Sequence, residues 1–363
     1  MPDFDALSID AQGAALARLA GVAAQSWDLG GQPEITLLKC RENAVFRIDA
    51  ADTTLVMRVH RAGYHSADAL ESELQWMTEL RRSGIATPEV VPNSRGRLFE
   101  LVACDEVPEP RLVDVLSWVA GEPLGSLEEG IAAGDGTRKS FFETGRLMAR
   151  LHNHAQSWQR PKDFTRHAWD VEGLLGDRPL WGRFWELDAL DAGQRDVVLA
   201  AREQAAAELA EFGTGDDRYG LIHADFLPEN LLVADGTIAL IDFDDAGFGW
   251  HLFDIATSLF VVADSPDFDG ILGAFTSGYR AERHLPDEHL ARLPLFFLLR
   301  GLTYLGWLHT RSETETAQQL TPEMVAAVSG LATEYLATTP ATTPSAIREK
   351  TPWVSTRGPA PGI

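Results

Sequence analysis

One short run concentrates the side chains able to do chemistry: His223-Ala224-Asp225-Phe226-Leu227-Pro228-Glu229-Asn230, followed at the end of the next apolar stretch by Ile241-Asp242-Phe243. Between them, Asp235-Gly236 reads as a two-residue hairpin turn, because both positions tolerate positive φ. A hairpin closed there sets Asn230 opposite Ile241 and beside Asp242. A carboxamide and a carboxylate then arrive at the same end, within reach of one ion. Hard oxygen donors of this kind suit Mg²⁺, which takes one or two carboxylates and fills its shell with phosphate oxygens and water. Asp225 lies on the loop just before, placed to accept a proton from a hydroxyl nucleophile. Base, amide and carboxylate in that order make a phosphoryl-transfer site, whose needs are an in-line hydroxyl, neutralised phosphate charge and a destination for the proton. The competing reading is a polar loop and an ordinary hairpin, with Asp and Asn present for turn chemistry alone. A lone His-x-Asp is weak; the whole run with its hairpin favours the chemical reading.

The elements that must hold these groups can be read on either side. Residues 1–34 form a helical lead-in with Ala-rich periodicity from Asp10 to Ala24. Ile35–Cys40, Val45–Asp49 and Thr54–His60 are short apolar runs with brief connections, the pattern of an antiparallel meander. Ser66 caps a helix that ends near Ser83-Gly84. Two more strands, Arg97–Ala103 and Leu112–Val119, are joined by the acidic, Pro-containing Asp105–Pro110. Residues 35–120 thus make a lobe of five strands and one internal helix. A Gly-rich connector opens residues 121–337, in which helices dominate: Ser140–Ser157, Asp188–Phe212, Asp254–Ala263, Phe268–Arg280, Asp287–Leu308 and Thr321–Ala337. The Pro/Thr/Ala-rich 338–363 reads as a disordered tail. The fold class expected is α+β: a small antiparallel-sheet lobe followed by a larger, mostly helical one.

Composition narrows the functions. The 363 residues are 45% apolar and carry 31 Lys+Arg against 54 Asp+Glu, a formal net charge of −23. Such a balance argues against nucleic acid as a partner and against a membrane surface. Leu293–Leu308, the most apolar late stretch, is broken by Arg300, Gly301 and Gly306 and is too short to span a bilayer. Cys40 and Cys104 make neither a disulfide framework nor a zinc pattern. The acidic N-terminus lacks a signal-peptide pattern, so a cytoplasmic protein is expected.

His223-x-Asp225-x4-Asn230 with Ile241-Asp242-Phe243-Asp244 resembles the aminoglycoside phosphotransferase and choline kinase superfamily, which has the protein-kinase-like fold. More narrowly, Leu151-His152-x-His154, Tyr219-Gly220-Leu221-Ile222-His223-Ala224-Asp225 and Ile241-Asp242-Phe243-Asp244-Asp245 are similar to bacterial phosphotransferases grouped with stress-response kinase A and type II homoserine kinase. The resemblance runs from about Ile35 to about Tyr335 and implies a bilobal fold, ATP as donor and Mg²⁺ as cofactor. It assigns Asp225 as catalytic base and Asn230 and Asp242 as metal ligands.

It also makes demands upstream. The basic residue expected on the third strand to hold the α/β-phosphates is Arg58, where kinases normally place Lys; Arg keeps a fixed, forked charge. Val56, two residues earlier on the same strand face, would touch the adenine. The carboxylate that should hold Arg58 is Glu73, which falls inside the apolar stripe Leu70–Leu74–Met77–Leu80 of its helix and needs a partner there. Alternatively, Arg58 is a solvated strand residue and Glu73 sits at the stripe edge. Glu42-Asn43 matches the turn that covers the nucleotide phosphates in the narrower group, and Ser117-Trp118-Val119 would be the hinge whose backbone reads the adenine edge. The resemblance makes His223 a structural member of the loop and Asp254 the helix N-cap that braces it. Asp244 and Asp245 read either as a second-metal or cationic-substrate contact or as solvated turn acids. Trp169, Trp181, Trp185, Trp250, Tyr304 and Trp307 are candidates for an acceptor pocket or for the core. Only eleven residues separate Asp242 from Asp254. That leaves no room for an extended activation segment and favours a small-molecule hydroxyl acceptor over a protein substrate. A nucleotide-binding pseudokinase is the third alternative, disfavoured by the intact Asp225, Asn230 and Asp242.

Overall fold

The computed structural model describes residues 4, 7–40, 43–125, 131 and 135–337. The expectations for Glu42 and for the tail after Ala337 lie outside the described residues. The chain divides into two units, one comprising residues up to Glu122 with Gln159–Arg166 and Leu232–Phe243, the other Pro123–Trp158, His167–Leu231 and the remainder from Asp244.

The first unit opens with α1 (Ile9–Ala23), whose N-cap Ser8 accepts from the Ala11 amide. Strands β1 (Glu34–Cys40), β2 (Ala44–Asp49) and β3 (Thr54–Val59) follow, then α2 (Ala67–Arg82), β4 (Phe99–Cys104) and β5 (Val107–Ser117). The sheet is antiparallel in the order β1-β2-β3-β5-β4. Period-two alternation sends Phe46, Ile48, Leu55, Met57, Val59, Val113 and Val115 into a core shared with Leu16, Leu19, Ala20 and Ala23 of α1. The opposite face therefore receives the even positions of β3 and β5, Val56, Arg58 and Asp114. Ser66 caps α2 through its hydroxyl on the Ala69 amide.

β5 begins at Val107 rather than Leu112, and the β4–β5 connection is correspondingly short. Its first residues pair only with β4, since β3 begins to pair at Val113. Pro108 and Pro110 can sit in the strand there because no second neighbour requires their missing N–H.

The second unit follows the short strand β6 (Glu122–Pro123) with α3 (Asp135–Ser157), β7 (Ala168–Trp169), α4 (Val171–Leu175), α5 (Ala192–Phe212) and β8 (Tyr219–Ile222). The hairpin β9 (Leu231–Ala234) and β10 (Thr237–Leu240) turns at Asp235 and Gly236, both at positive φ (49° and 77°), as two-residue turns require. Most of it belongs to the first unit. The chain then completes the second with β11 (Gly247–Trp250), α6 (His251–Phe260), α7 (Phe268–Glu282), α8 (Asp287–Leu290), α9 (Leu293–Thr310) and α10 (Glu315–Ala337). A small sheet β7-β11-β8, which periodicity did not reveal, ties the loop after β8 to the start of α6.

Several helix limits move from their sequence positions for identifiable reasons. α5 starts at Ala192 because Asp191 and Gln194 form a reciprocal capping box. The single helix expected over Asp287–Leu308 is two, with Pro294 in the first turn of α9, where its lacking N–H costs nothing. α3 and α7 cross with backbones nearly touching: a Cβ at Gly145 would lie 2.2 Å from the Phe275 carbonyl, and one at Gly278 would lie 1.9 Å from the Phe142 carbonyl. Among the described residues no helix is long and apolar enough to cross a membrane.

Candidate active site

In the second unit, β8 delivers His223-Ala224-Asp225 into a loop whose backbone is pinned from below. Asp254 accepts the His223 amide at 3.0 Å and the Ala224 amide at 2.6 Å. These two bonds hold Ala224 at φ 64°, a left-handed conformation that a non-glycine residue keeps only when its surroundings fix it. Asp254 is not the N-cap of its helix. α6 starts three residues earlier, at His251, and Asp254 reaches the loop from within the first turn. It is fully buried, and burial pushes its carboxyl up to about 6 against the pull of His223 and the two amides.

Behind Asp254 lies His152, whose Nε2 is 3.0 Å from Asp254 Oδ2 and whose Nδ1 is 2.8 Å from the Tyr279 hydroxyl. Burial, with Arg283 nearby, holds His152 well below its ordinary value, so the ring is neutral. A neutral ring fits these partners when Nε2–H donates to the carboxylate and Nδ1 accepts from Tyr279. His152 thus serves the loop as a hydrogen-bonding group, and the close α3–α7 crossing positions both His152 and Tyr279.

Asp225 and Asn230 are brought together. Asn230 Nδ2 donates at 2.9 Å both to the Asp225 carbonyl and to its carboxylate Oδ2. The other oxygen, Oδ1, accepts from Arg300 Nη2 at 2.9 Å. The Asp225 side chain keeps 17% exposure while Arg300 has none. Arg300 also donates to the Ala224 carbonyl at 3.2 Å and to the Tyr304 hydroxyl at 3.1 Å. Its guanidinium lies 5.1 Å from the Trp181 ring centroid and 4.5 Å from that of Tyr304. Burial opposes the charge on Arg300, and Tyr304 and Asp225 outweigh it, raising Arg300 above its usual value. In the sequence Arg300 stands out only as an interruption of an apolar stretch.

Two alternatives left open for this unit are narrowed. Asp244 and Asp245 are not solvated turn acids: Asp244 is buried, and the Asp245 carboxylate accepts from Trp181 Nε1 at 3.2 Å. The faces that Trp181 and Tyr304 turn inward are taken by the chain's own Arg300, so those faces are not open to a cationic acceptor. Trp169 and Trp250 are core residues.

In the first unit, Arg58 and Glu73 meet: Nη2 to Oε1 is 2.9 Å, with 6% and 0% side-chain exposure, so Arg58 is not a solvated strand residue. The pair belongs to a larger cluster. Asp114, register partner of Arg58 on β5, takes its Nε and Nη2 at 3.1 and 3.0 Å. His60 Nε2 lies 2.5 Å from the same carboxylate. Burial alone would push the Asp114 carboxyl up; Arg58 and His60 hold it below its ordinary value. Arg166, from the Gln159–Arg166 segment, reaches the second oxygen of Glu73 at 3.2 Å and donates to the carbonyls of Ala69 at 3.1 Å and Phe243 at 3.4 Å. Helix α2 is therefore tied to the segment that carries Asp242, and Trp76 packs edge-on against Phe243.

Asp242 is exposed and sits at φ 63°. Val56 is half-buried, register partner of Arg47 and Leu116. At the end of β5, the Ser117 amide donates to the Glu89 carbonyl at 2.8 Å and the Trp118 amide to the Thr54 carbonyl at 3.3 Å. Any reading of an adenine edge from this strand end thus falls to its carbonyls and to Val119. Trp118 carries Arg47 at 5.0 Å from its ring centroid. Asn43 is spent locally, its Oδ1 accepting the Arg61 amide at 3.2 Å.

The Asn230 amide nitrogen is turned to Asp225, which directs its oxygen away from that carboxylate, and Asp242 offers an exposed carboxylate. An amide oxygen and a carboxylate are each donors of the kind that magnesium takes. Among the described residues no group of three or more His, Cys, Asp or Glu forms a self-sufficient metal site.

A five-stranded antiparallel sheet carrying an arginine–glutamate pair, with a helical unit presenting a braced Asp–Asn loop, is the architecture of a kinase-like phosphotransferase. The profile of the phosphotransferase enzyme family matches residues 36–292, and the chain belongs to that family. It is similar to the solved structure of a microcompartment-associated aminopropanol kinase, with 35% identity, a TM-score of 0.78, and coverage of 88% of this chain and 97% of that one. The amicoumacin kinase of Bacillus subtilis is 25% identical over 81% of this chain and 85% of its own length. The structure of amicoumacin kinase hAmiN with AMP-PNP, Ca²⁺ and Ami shares the fold at 23% identity and a TM-score of 0.69, covering 85% and 91%. The chain is thus a kinase, an enzyme that transfers phosphoryl groups to hydroxyl acceptors.

Proposed function

We propose that the chain transfers the γ-phosphoryl group of ATP to the hydroxyl of a small amino alcohol, with Asp225 as base and Mg²⁺ held by Asn230 and Asp242. The observation that carries the reading is Asp225 itself, a partly exposed carboxylate on a loop that Asp254 fixes through two backbone amides. Asp225 accepts the proton of the acceptor hydroxyl as its oxygen bonds to the γ-phosphorus and the bond to the β-phosphate oxygen breaks, releasing ADP. When bound, Mg²⁺ supplies charge neutralisation for the phosphates. Arg58, oriented by Glu73, faces the α/β-phosphates, and Val56 with the Ser117–Val119 segment meets the adenine. Likeness to an aminopropanol kinase at 35% identity supports the amino alcohol class, and the AMP-PNP complex of a fold relative supports ATP.

The test is Mg²⁺ with γ-labelled ATP against aminopropanol, homoserine, an aminoglycoside and a generic protein, with Asp225→Asn as the blank. Label on aminopropanol, absent in the blank, is the expected result. Label on protein alone would replace the proposal with a protein-kinase function. Nucleotide binding without transfer to any of them would refute the amino alcohol assignment.

A further inference from the structure

We infer that Arg300 is a positioning residue for phosphoryl transfer, fixing the Asp225 carboxylate from the side opposite Asn230. The inference rests on Asp225 as the base. A carboxylate gripped at one oxygen alone can rotate about its Cβ–Cγ bond. Asn230 holds Oδ2 at 2.9 Å and Arg300 holds Oδ1 at 2.9 Å, so the plane of the group is set from both ends. Each oxygen retains a lone pair for the acceptor proton.

Three further observations make Arg300 a fixed anchor rather than a casual neighbour. Its side chain has no exposure, although α9 is otherwise almost wholly apolar, and a charge is carried into such a place only when it is paired. A second donor of the same guanidinium binds the Ala224 carbonyl, tying side chain and backbone of the catalytic loop to one rigid group. Trp181 and Tyr304 pack against the guanidinium, and Tyr304 also accepts a hydrogen bond from it. The Asp245 carboxylate in turn holds the Trp181 indole. An uncharged side chain of similar length would fill the space without orienting Asp225. An ammonium would keep the charge and lose the fork that reaches Asp225 and Ala224 together.

The experiment compares Arg300→Met, Arg300→Lys and Asp225→Asn with the wild-type chain, using Mg-ATP and aminopropanol. Thermal melts establish the folded fraction. Arg300→Met is expected to lower kcat about 100-fold while both KM values stay within about threefold, the mark of lost orientation rather than lost binding. Added guanidinium ion should restore part of that loss, and Arg300→Lys should fall between Met and wild type. A folded Arg300→Met enzyme with near wild-type kcat overturns the inference. So does a kcat loss that only tracks the unfolded fraction and answers neither to Lys nor to guanidinium. Should the Met variant fail to fold, Arg300→Lys decides alone: a kcat about tenfold down at constant KM supports the role, and wild-type kinetics refute it. Asp225→Asn separates the two readings. If it abolishes transfer while Arg300→Met does not, only the Arg300 inference falls; if it turns over normally, the base assignment falls first.

Discussion

Replacing Glu73 by Gln removes one negative charge from between two arginines at nearly constant volume. Glu73 is 0% exposed and its partners Arg58 and Arg166 are 6% and 1% exposed, so water can take over little of its work. Removing one partner of a buried ion pair costs about 3–5 kcal/mol. Arg58 keeps Asp114 as a counter-charge, so the loss should lie at the low end, about 3 kcal/mol. Pairing the change with Arg166→Met removes one of the two cations that Glu73 holds together with the carboxylate. The double variant should then be less destabilised than the sum of the singles by about 2 kcal/mol. Urea unfolding followed by circular dichroism and by tryptophan fluorescence reads this directly, provided the slopes stay equal across the four proteins. A Glu73→Gln loss below about 1 kcal/mol, or additive single variants, would refute the claim that the cluster is buried and mutually compensated.

Two further outcomes follow from the second unit. Asp254 is pushed up to about 6 by burial. Below about pH 4 its carboxyl is protonated in both folded and unfolded chains; between there and pH 6 only the folded chain keeps the proton, so stability falls as pH rises through that window, by about 3 kcal/mol. The stability difference between wild type and Asp254→Asn should show that decline, and a difference that is constant from pH 4 to pH 7 would contradict it. Gly278→Ala should cost more than about 3 kcal/mol or prevent folding, because the new Cβ would meet the Phe142 carbonyl at 1.9 Å. Gly273→Ala, in the same helix with nothing within 4 Å, should instead stabilise by up to about 1 kcal/mol; similar melts for the two would disprove the close crossing.

What could be read from the sequence was local. Asp235-Gly236 announced a hairpin through turn chemistry, Ser66 announced α2 through its cap, and Glu73 announced a buried partner because an acid lay within an apolar stripe. Arg58, Asp225, Asn230 and Asp242 stood out by spacing within one motif or one strand. The residues that complete the site are far along the chain from what they hold: Asp114 is 56 positions from Arg58, Arg166 is 93 from Glu73, and Arg300 is 75 from Asp225. No periodicity links such pairs, since only the fold brings them together. A signal did exist for each. Asp114 stands alone in the apolar strand Val113-Asp114-Val115-Leu116, and Arg300 in the apolar helix Leu298-Leu299-Arg300-Gly301-Leu302. A charge isolated in an apolar element marks a missing partner as surely as Glu73 did. Asp254 was placed correctly behind the loop but at the wrong point of its helix, because Trp250 and His251 carry no capping chemistry by which to set the boundary.

The Arg58 cluster has a bearing on how a nucleotide would be received. Among the described contacts two guanidinium groups and an imidazole stand against two carboxylates, so these charges nearly cancel before any ligand arrives. On the proposed reading, a triphosphate reaching Arg58 meets a cation that is already matched, and the sheet offers direction rather than net attraction. The electrostatic driving force must then travel with the ligand. Nucleotide complexed to a divalent ion should bind readily and free nucleotide poorly, and because the ion halves the ligand's own charge, affinity should fall only modestly as ionic strength rises.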